Sequence, residues 1–274
     1  MTGWPLAERF ASSAGEVAWA TRGEPGRPPV VLLHGTPFSS YVWRDIATAL
    51  ARTHRVYVWD MPGYGESEMF TGQDVSLAAQ GRVFAELLAH WRLDAPQVVA
   101  HDFGGAVALR AHLLHGARYQ RLAVVDPVAL APWGSPFFRL VGESAAVFDQ
   151  LPPALHEALV RAYVGSASSP GMHPGLLDRL VRPWLGEAGQ PAFYRQIAQA
   201  DHRYTDEIQQ RYGDLELPVM VCWGTDDAWI PVSRAHELAA LIPAARLELI
   251  AGAGHLVQAD APAALTEVLL DFLT

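Results

Sequence analysis

Short apolar runs recur along the chain and are separated by stretches whose apolar positions fall at helical spacing. Residues 30–33, 55–59, 97–100, 122–125, 219–223 and 246–250 are four- or five-residue runs rich in Val, Leu and Ile, bounded by turn-forming or polar residues. Runs that short predict strands, most of them buried on both faces. Between them, 3.6-residue periodicity predicts helices over about residues 41–51, 76–91, 104–115, 233–241 and 262–273. Strands alternating with helices imply a parallel sheet covered on both sides. The alternation stops between residues 128 and 215, where the pattern is helical but irregular, rich in Pro, Gly and aromatic residues. A strandless block set between two strand–helix halves reads as a helical lid. The expected division is a core of residues 1–127 and 216–274 and a lid of residues 128–215, with ligands bound at the carboxyl edge of the sheet.

Composition narrows the chemistry. Of 274 residues, half are hydrophobic and 18% are charged, which suits a well-packed globular protein. The formal net charge of −9 argues against a nucleic-acid surface. All the basic residues are arginine, so lysine Schiff bases are excluded. The single cysteine, Cys222, sits in an apolar strand and rules out an intrachain disulfide or a cysteine metal cluster. No run reaches the ~18 apolar residues of a membrane span. With no basic-then-apolar leader at the N-terminus, the expected location is the cytoplasm. No metal-ligand spacing or phosphate-binding glycine loop occurs, so no metal and no cofactor is expected.

One strand-to-helix junction carries chemistry. Val98-Val99-Ala100-His101-Asp102-Phe103-Gly104-Gly105 runs from an apolar strand directly into a helix, with small residues two positions either side of Asp102. That is the layout of a nucleophile elbow, whose tight turn pushes its central residue out at a helix N-terminus. Asp at this point could also simply cap the helix. A cap, however, leaves three other segments unexplained: His34-Gly35-Thr36-Pro37, Gly63-Tyr64-Gly65-Glu66-Ser67 and Gly254-His255, each after a predicted strand.

In that order the four segments resemble the α/β-hydrolase superfamily over nearly the whole chain, and in particular its aspartate-nucleophile branch, the epoxide hydrolases and haloalkane dehalogenases. The resemblance implies an α/β-hydrolase fold: a mostly parallel central sheet with helices on both faces and a helical lid inserted after the sixth strand. It also implies Asp102 as nucleophile and His255 as the base that activates water. For the acid that orients His255 two positions match. Asp227 lies in Trp223-Gly224-Thr225-Asp226-Asp227-Ala228-Trp229-Ile230-Pro231 and is favoured for its longer motif, and Asp126 ends the strand after the nucleophile's. Asp226 reads as a solvated turn residue and Asp60 as a tie for the neighbouring loop. The backbone N–H groups of Thr36 and Phe103 are the expected oxyanion donors.

A carboxylate attacking a carbonyl would give a reactive anhydride. The same carboxylate displacing a leaving group at saturated carbon gives an ester that water can cleave. Asp102 therefore points to epoxide opening or carbon–halogen cleavage. The stretch Pro37 to Arg44 resembles haloalkane dehalogenases, but their halide-cradling amide and Trp are replaced by Thr36 and Phe103, and Phe has no donor. Phe193-Tyr194-Arg195 resembles the lid Tyr-Arg pair of epoxide hydrolases, which makes Tyr194 the expected oxygen activator, with Tyr163 and Tyr204 as further lid tyrosines. His34, His101, Trp184, Tyr163 and Trp229 are expected around a small apolar organic substrate and its water. The leading expectation is an epoxide hydrolase; a dehalogenase is second, and a non-catalytic ligand-binding protein on the same fold is the alternative of another class.

Overall fold

The computed structural model describes residues 4–274. Eight strands form one sheet: β1 (Glu8–Ser12), β2 (Gly15–Arg22), β3 (Pro29–Leu33), β4 (Arg55–Trp59), β5 (Gln97–His101), β6 (Arg121–Val125), β7 (Val219–Gly224) and β8 (Arg246–Ile250). Their spatial order is β1-β2-β4-β3-β5-β6-β7-β8. The pairings β1/β2 and β2/β4 are antiparallel and all others parallel. This is the α/β-hydrolase fold.

All six strands foreseen from apolar runs are present. The pattern missed β1 and β2, so six strands, not four, precede the break. They form a hairpin at the sheet edge, where β1 has no fully buried position and β2 only Val17, Ala18 and Ala20, and such strands lack the continuous apolar signature. By contrast β5 and β7 are buried at every position. Six helices belong to the sheet: α1 (Arg44–Leu50), α2 (Leu77–His90), α3 (Phe103–His115), α9 (Ser233–Leu241), α10 (Val257–Asp260) and α11 (Pro262–Leu273). α3 is buried almost all round, and a Cβ on Gly104 would sit 2.5 Å from the His34 carbonyl oxygen. That contact sets how closely the helix can lie on β3.

Between β6 and β7 there are only helices: α4 (Pro136–Phe148), α5 (Pro153–Gly165), α6 (Pro174–Val181), α7 (Gly186–Ala198) and α8 (Arg203–Gln209), with short 3-10 turns. Polar contacts fasten this insertion to the sheet half. Arg110 on α3 donates to the Tyr204 carbonyl (2.6 Å) and to Glu207 (2.8 Å). Gln199 exchanges hydrogen bonds with Val75 N–H and the Gln73 carbonyl. The Trp184 indole donates to the Pro37 carbonyl (2.7 Å), and Leu256 N–H to the Ala167 carbonyl (3.0 Å). Among the described residues no helix is long and apolar enough to cross a membrane.

Candidate active site

Asp102 joins β5 to α3 with φ 50° and ψ −120°. A positive φ costs a residue with a Cβ, so this is a strained position. Backbone bonds hold it: Asp102 N–H donates to the Val125 carbonyl, and its own carbonyl accepts from Gly105 (2.9 Å) and Val128 (3.1 Å). The turn tolerates nothing larger beside it, since a Cβ on Gly35 would lie 2.3 Å from the Asp102 Cβ and 2.4 Å from Oδ1. The side chain makes no capping hydrogen bond to α3. A helix cap is therefore not what this carboxylate is.

Its oxygens face other elements. Thr36 N–H, in the turn after β3, donates to Oδ1 at 2.7 Å. Phe103 N–H, at the first turn of α3, has no hydrogen-bond partner among the described residues. On the other side, His255 Nε2 stands 3.4 Å from Oδ2, and His255 Nδ1 is 2.8 Å from Asp227 Oδ2. Asp227 is itself fixed by Trp229 N–H (2.7 Å) and Ile230 N–H (3.0 Å) on Oδ1. Thr36, Asp102, Asp227 and His255 come from the carboxyl ends of β3, β5, β7 and β8, which share one edge of the sheet. All four are buried.

Of the two acids open from sequence, Asp227 is the one on His255. Asp126 ends β6 at φ 43°; its Oδ1 accepts Gly224 N–H at 2.9 Å and its Oδ2 has no partner. One Asp126 oxygen, one Asp227 oxygen and one His255 nitrogen lie within 4.8 Å of one another. Burial, then the Asp227 charge, pushes the Asp126 carboxyl well above the usual carboxylate range. Asp227 resists the same burial because His255 and two backbone N–H groups favour its charge, and it is lowered. Burial opposes a charged His255, but the carboxylates of Asp227 and Asp102 overcome it and raise it well above the ordinary histidine value. The geometry sets His255 between the carboxyl groups of Asp102 and Asp227.

A small cavity of about 30 Å³ opens on Asp102, bounded by Thr36 and Phe103 on the sheet side and by Trp133, Phe138, Tyr163 and Trp229 opposite. Trp229 is stacked between Tyr163 (4.6 Å between centroids) and His255 (4.8 Å). Tyr163 makes no hydrogen bond through its hydroxyl among the described residues, and burial, with the Asp102 charge next, holds its proton firmly. The nearby indoles are committed elsewhere: Trp133 N–H to Thr205 Oγ1 (3.0 Å), Trp229 N–H to Ser166 Oγ (3.0 Å).

Several residues expected at the site are not on this cavity. Tyr194 is buried inside the insertion, its hydroxyl 2.8 Å from His156 Nδ1. Burial pushes its phenol up to about 12. Trp184 spends its N–H on Pro37 and packs edge-on against Tyr64. Tyr204 accepts from Arg203. His34 lies behind the Thr36 turn, its Nδ1 on the Gly35 carbonyl and its Nε2 accepting Met61 N–H, and burial lowers it. His101 donates from Nε2 to the His255 carbonyl (2.9 Å). Burial, then the neighbouring His255, lowers it to about 4, which keeps it neutral. These two histidines hold backbone groups and do not line this cavity. Asp60 ties loops as expected, accepting Ser40 N–H and Glu66 N–H at 2.7 Å each, and Asp226 lies on the surface with Thr225 and Ser169. Sequence reading missed Gln196 and Tyr64: Gln196 Oε1 accepts from Thr36 Oγ1 (2.6 Å) and from the Tyr64 hydroxyl (3.1 Å). A buried-polar signal for Gln196 was absent, since no motif marks it.

A strained elbow at the sheet's carboxyl edge, beside a histidine–acid pair on the same edge and beneath a helical insertion, defines a hydrolase of the α/β fold. The sequence profile of the α/β-hydrolase fold matches residues 28–262, and the chain belongs to that family. An α/β-hydrolase-fold protein from Burkholderia ambifaria is 49% identical, with a TM-score of 0.94 and 97% of each chain covered. An uncharacterised protein of Mycobacterium tuberculosis is 28% identical over 258 residues, 90% of this chain and 75% of its own length. Haloalkane dehalogenase 2 of Mycobacterium tuberculosis is 25% identical over 272 residues, 94% of this chain and 92% of its own.

Proposed function

We propose that the protein hydrolyses small apolar substrates at saturated carbon through an alkyl ester on Asp102, and that epoxides are the substrate class. The observation that carries this reading is the Asp102 carboxylate: it caps no helix, one oxygen is held by Thr36 N–H, and the other faces a histidine backed by Asp227. The oxygen not held by Thr36 attacks an epoxide carbon, the carbon–oxygen bond breaks, and the departing oxygen takes the Tyr163 proton. Asp102 thereby becomes a neutral ester.

The ester changes the charge balance around His255. One of the two carboxylates that hold its proton is gone, while burial still opposes the cation. His255 releases its proton, which restores Tyr163, and becomes a base for water. The hydroxide attacks the ester carbonyl carbon, N–H groups of Thr36 and Phe103 face the oxyanion, and the acyl–oxygen bond breaks; the leaving alkoxide takes the proton of the newly formed Asp102 carboxylic acid and departs as a vicinal diol. Asp102 and the His255 cation are regenerated.

The epoxide reading rests on the leaving-group side. An oxygen that stays attached needs one proton donor, and the proposal assigns that role to Tyr163, which lines the Asp102 cavity and has a hydroxyl free of hydrogen bonds among the described residues. A departing halide needs hydrogen-bond donors, and the indoles of Trp133 and Trp229 are used elsewhere. The test is His255→Ala incubated with a styrene oxide-type epoxide and, separately, with a bromoalkane, followed by mass spectrometry of the peptide containing Asp102. The expected result is a stable epoxide adduct on Asp102, and diol formation by the unaltered protein. Bromide release without diol would make it a dehalogenase, in line with its similarity to haloalkane dehalogenase 2. No adduct from either would favour a non-catalytic ligand-binding protein.

A further inference from the structure

Gln196 lies on α7 with 2% of its surface exposed, and its side chain crosses from the insertion to the sheet half. Its Oε1 accepts hydrogen bonds from Thr36 Oγ1 at 2.6 Å and from the Tyr64 hydroxyl at 3.1 Å, while its Nε2 is buried without a partner among the described residues. A carbonyl oxygen has two lone pairs, and both are filled. Thr36 lines the cavity beside Asp102, and its N–H is on Asp102 Oδ1. A hydroxyl owns one proton. Once that proton is given to Gln196, the face of Thr36 Oγ1 left for the cavity can only accept.

We propose that Gln196 is a specificity-determining residue: by drawing the protons of Thr36 and Tyr64 toward the insertion, it leaves the Thr36 side of the Asp102 cavity without a hydroxyl donor and so disfavours leaving groups that depart as free anions. An accepting oxygen close to a departing halide is repulsive, whereas an epoxide oxygen protonated from Tyr163 makes no demand on Thr36. The inference deepens the epoxide reading and rests on it for its biological meaning. Its physical content, that Gln196 controls the anion affinity of the cavity, stands on the three side chains alone.

The test is bromide binding, followed by quenching of tryptophan fluorescence, since Trp133 and Trp229 line the cavity. Gln196→Met, made with Tyr64→Phe because the Tyr64 hydroxyl is also within hydrogen-bond reach of Thr36, removes the acceptors at similar volume and frees the Thr36 proton. Bromide affinity is expected to rise about ten-fold, the scale of one added hydrogen bond to a charged ligand. The gain should disappear in Gln196→Met/Tyr64→Phe/Thr36→Val, which retains the altered packing but has no hydroxyl at position 36. Gln196→Ala, again with Tyr64→Phe, is the second route should the Met variant fold poorly, and the same rise is expected. Unchanged bromide affinity in both of these variants would overturn the proposal, as would a gain that survives Thr36→Val. This readout is separate from adduct formation on Asp102, so failure of one reading is distinguishable from failure of the other.

Discussion

The cavity has two walls, and they are built differently. The sheet wall comes from strand ends: Thr36, Asp102, Asp227 and His255 each sit one to five residues past a strand, and backbone hydrogen bonds hold them. The opposite wall comes from the insertion, where Tyr163 and Phe138 on helix faces and Trp133 in the loop before α4 are placed by aromatic packing. Parallel strands fix their termini within a hydrogen-bonded lattice, so small changes elsewhere hardly move them. A helix rotates its whole residue set with each change in packing. The difference teaches where fixed chemistry and where adjustable selectivity can reside: on the proposed reading, bond making belongs to the first wall, and leaving-group choice to the insertion through Tyr163 and through the hold of Gln196 on Thr36.

That division can be broken in order of size. Asp102→Ala should cost about 10⁴-fold or more in turnover on any substrate and abolish the covalent adduct; retained turnover would remove the nucleophile from the sheet wall. Tyr163→Phe keeps the ring stack on Trp229 but loses the hydroxyl. Epoxide opening should fall about 10²-fold, as for loss of a general acid, while any adduct formed from a bromoalkane stays within about three-fold. Equal losses on both would mean that Tyr163 only packs.

A smaller effect concerns pH. On the proposed mechanism hydrolysis of the ester needs neutral His255, so its single-turnover rate should rise with pH through the titration of that residue. The Asp227 charge is what raises His255 most. Asp227→Asn should therefore move this limb to lower pH and lower the plateau about ten-fold, read by rapid-quench mass spectrometry. An unmoved limb would place the titrating group elsewhere.

Asp126 gives a prediction in stability alone. Its folded-state pKa is raised, so the unfolded chain releases that proton first, and stability falls as pH rises from about 4 toward the folded value. Asp126→Asn keeps an acceptor for Gly224 N–H and removes the titration. Its Tm at pH 7 should exceed that of the unaltered protein by about 3 °C, with no difference at pH 3; calorimetry at the two pH values decides it. Least of all, Tyr194→Phe should change turnover by less than about three-fold and cost about 1 kcal/mol of stability through the lost His156 bond.

The same two walls explain what could be read from the sequence. The sheet wall was legible because its residues follow apolar runs at fixed places: Asp102 between Ala100 and Gly104, His255 after Gly254, Asp227 after Trp223-Gly224. Their geometry follows from the strand ends. The insertion was legible as helical but not by face. Tyr194 and Gln196 are two residues apart on α7, about 200° around a helix, so one looks to His156 and the other to Thr36. Choosing the tyrosine by its neighbours in sequence chose the inner face of the insertion. Tyr163 reaches the cavity because Trp229, from the β7–α9 loop, stacks on it, and nothing along the chain announces a contact between residues so far apart. The hairpin of β1 and β2 was hidden for another reason: at an edge, half the positions stay polar.

The smallness of the cavity bears on kinetics. About 30 Å³ is room for water molecules and not for a ring-bearing epoxide. Admission of such a substrate therefore requires the aromatic wall to part, and that parting must break side-chain stacks and not the backbone lattice beneath. Association rates would then report how often the wall opens, with a steep temperature dependence and little sensitivity to the electrophile presented. Two substrates of unequal chemical reactivity but equal girth would enter at the same rate.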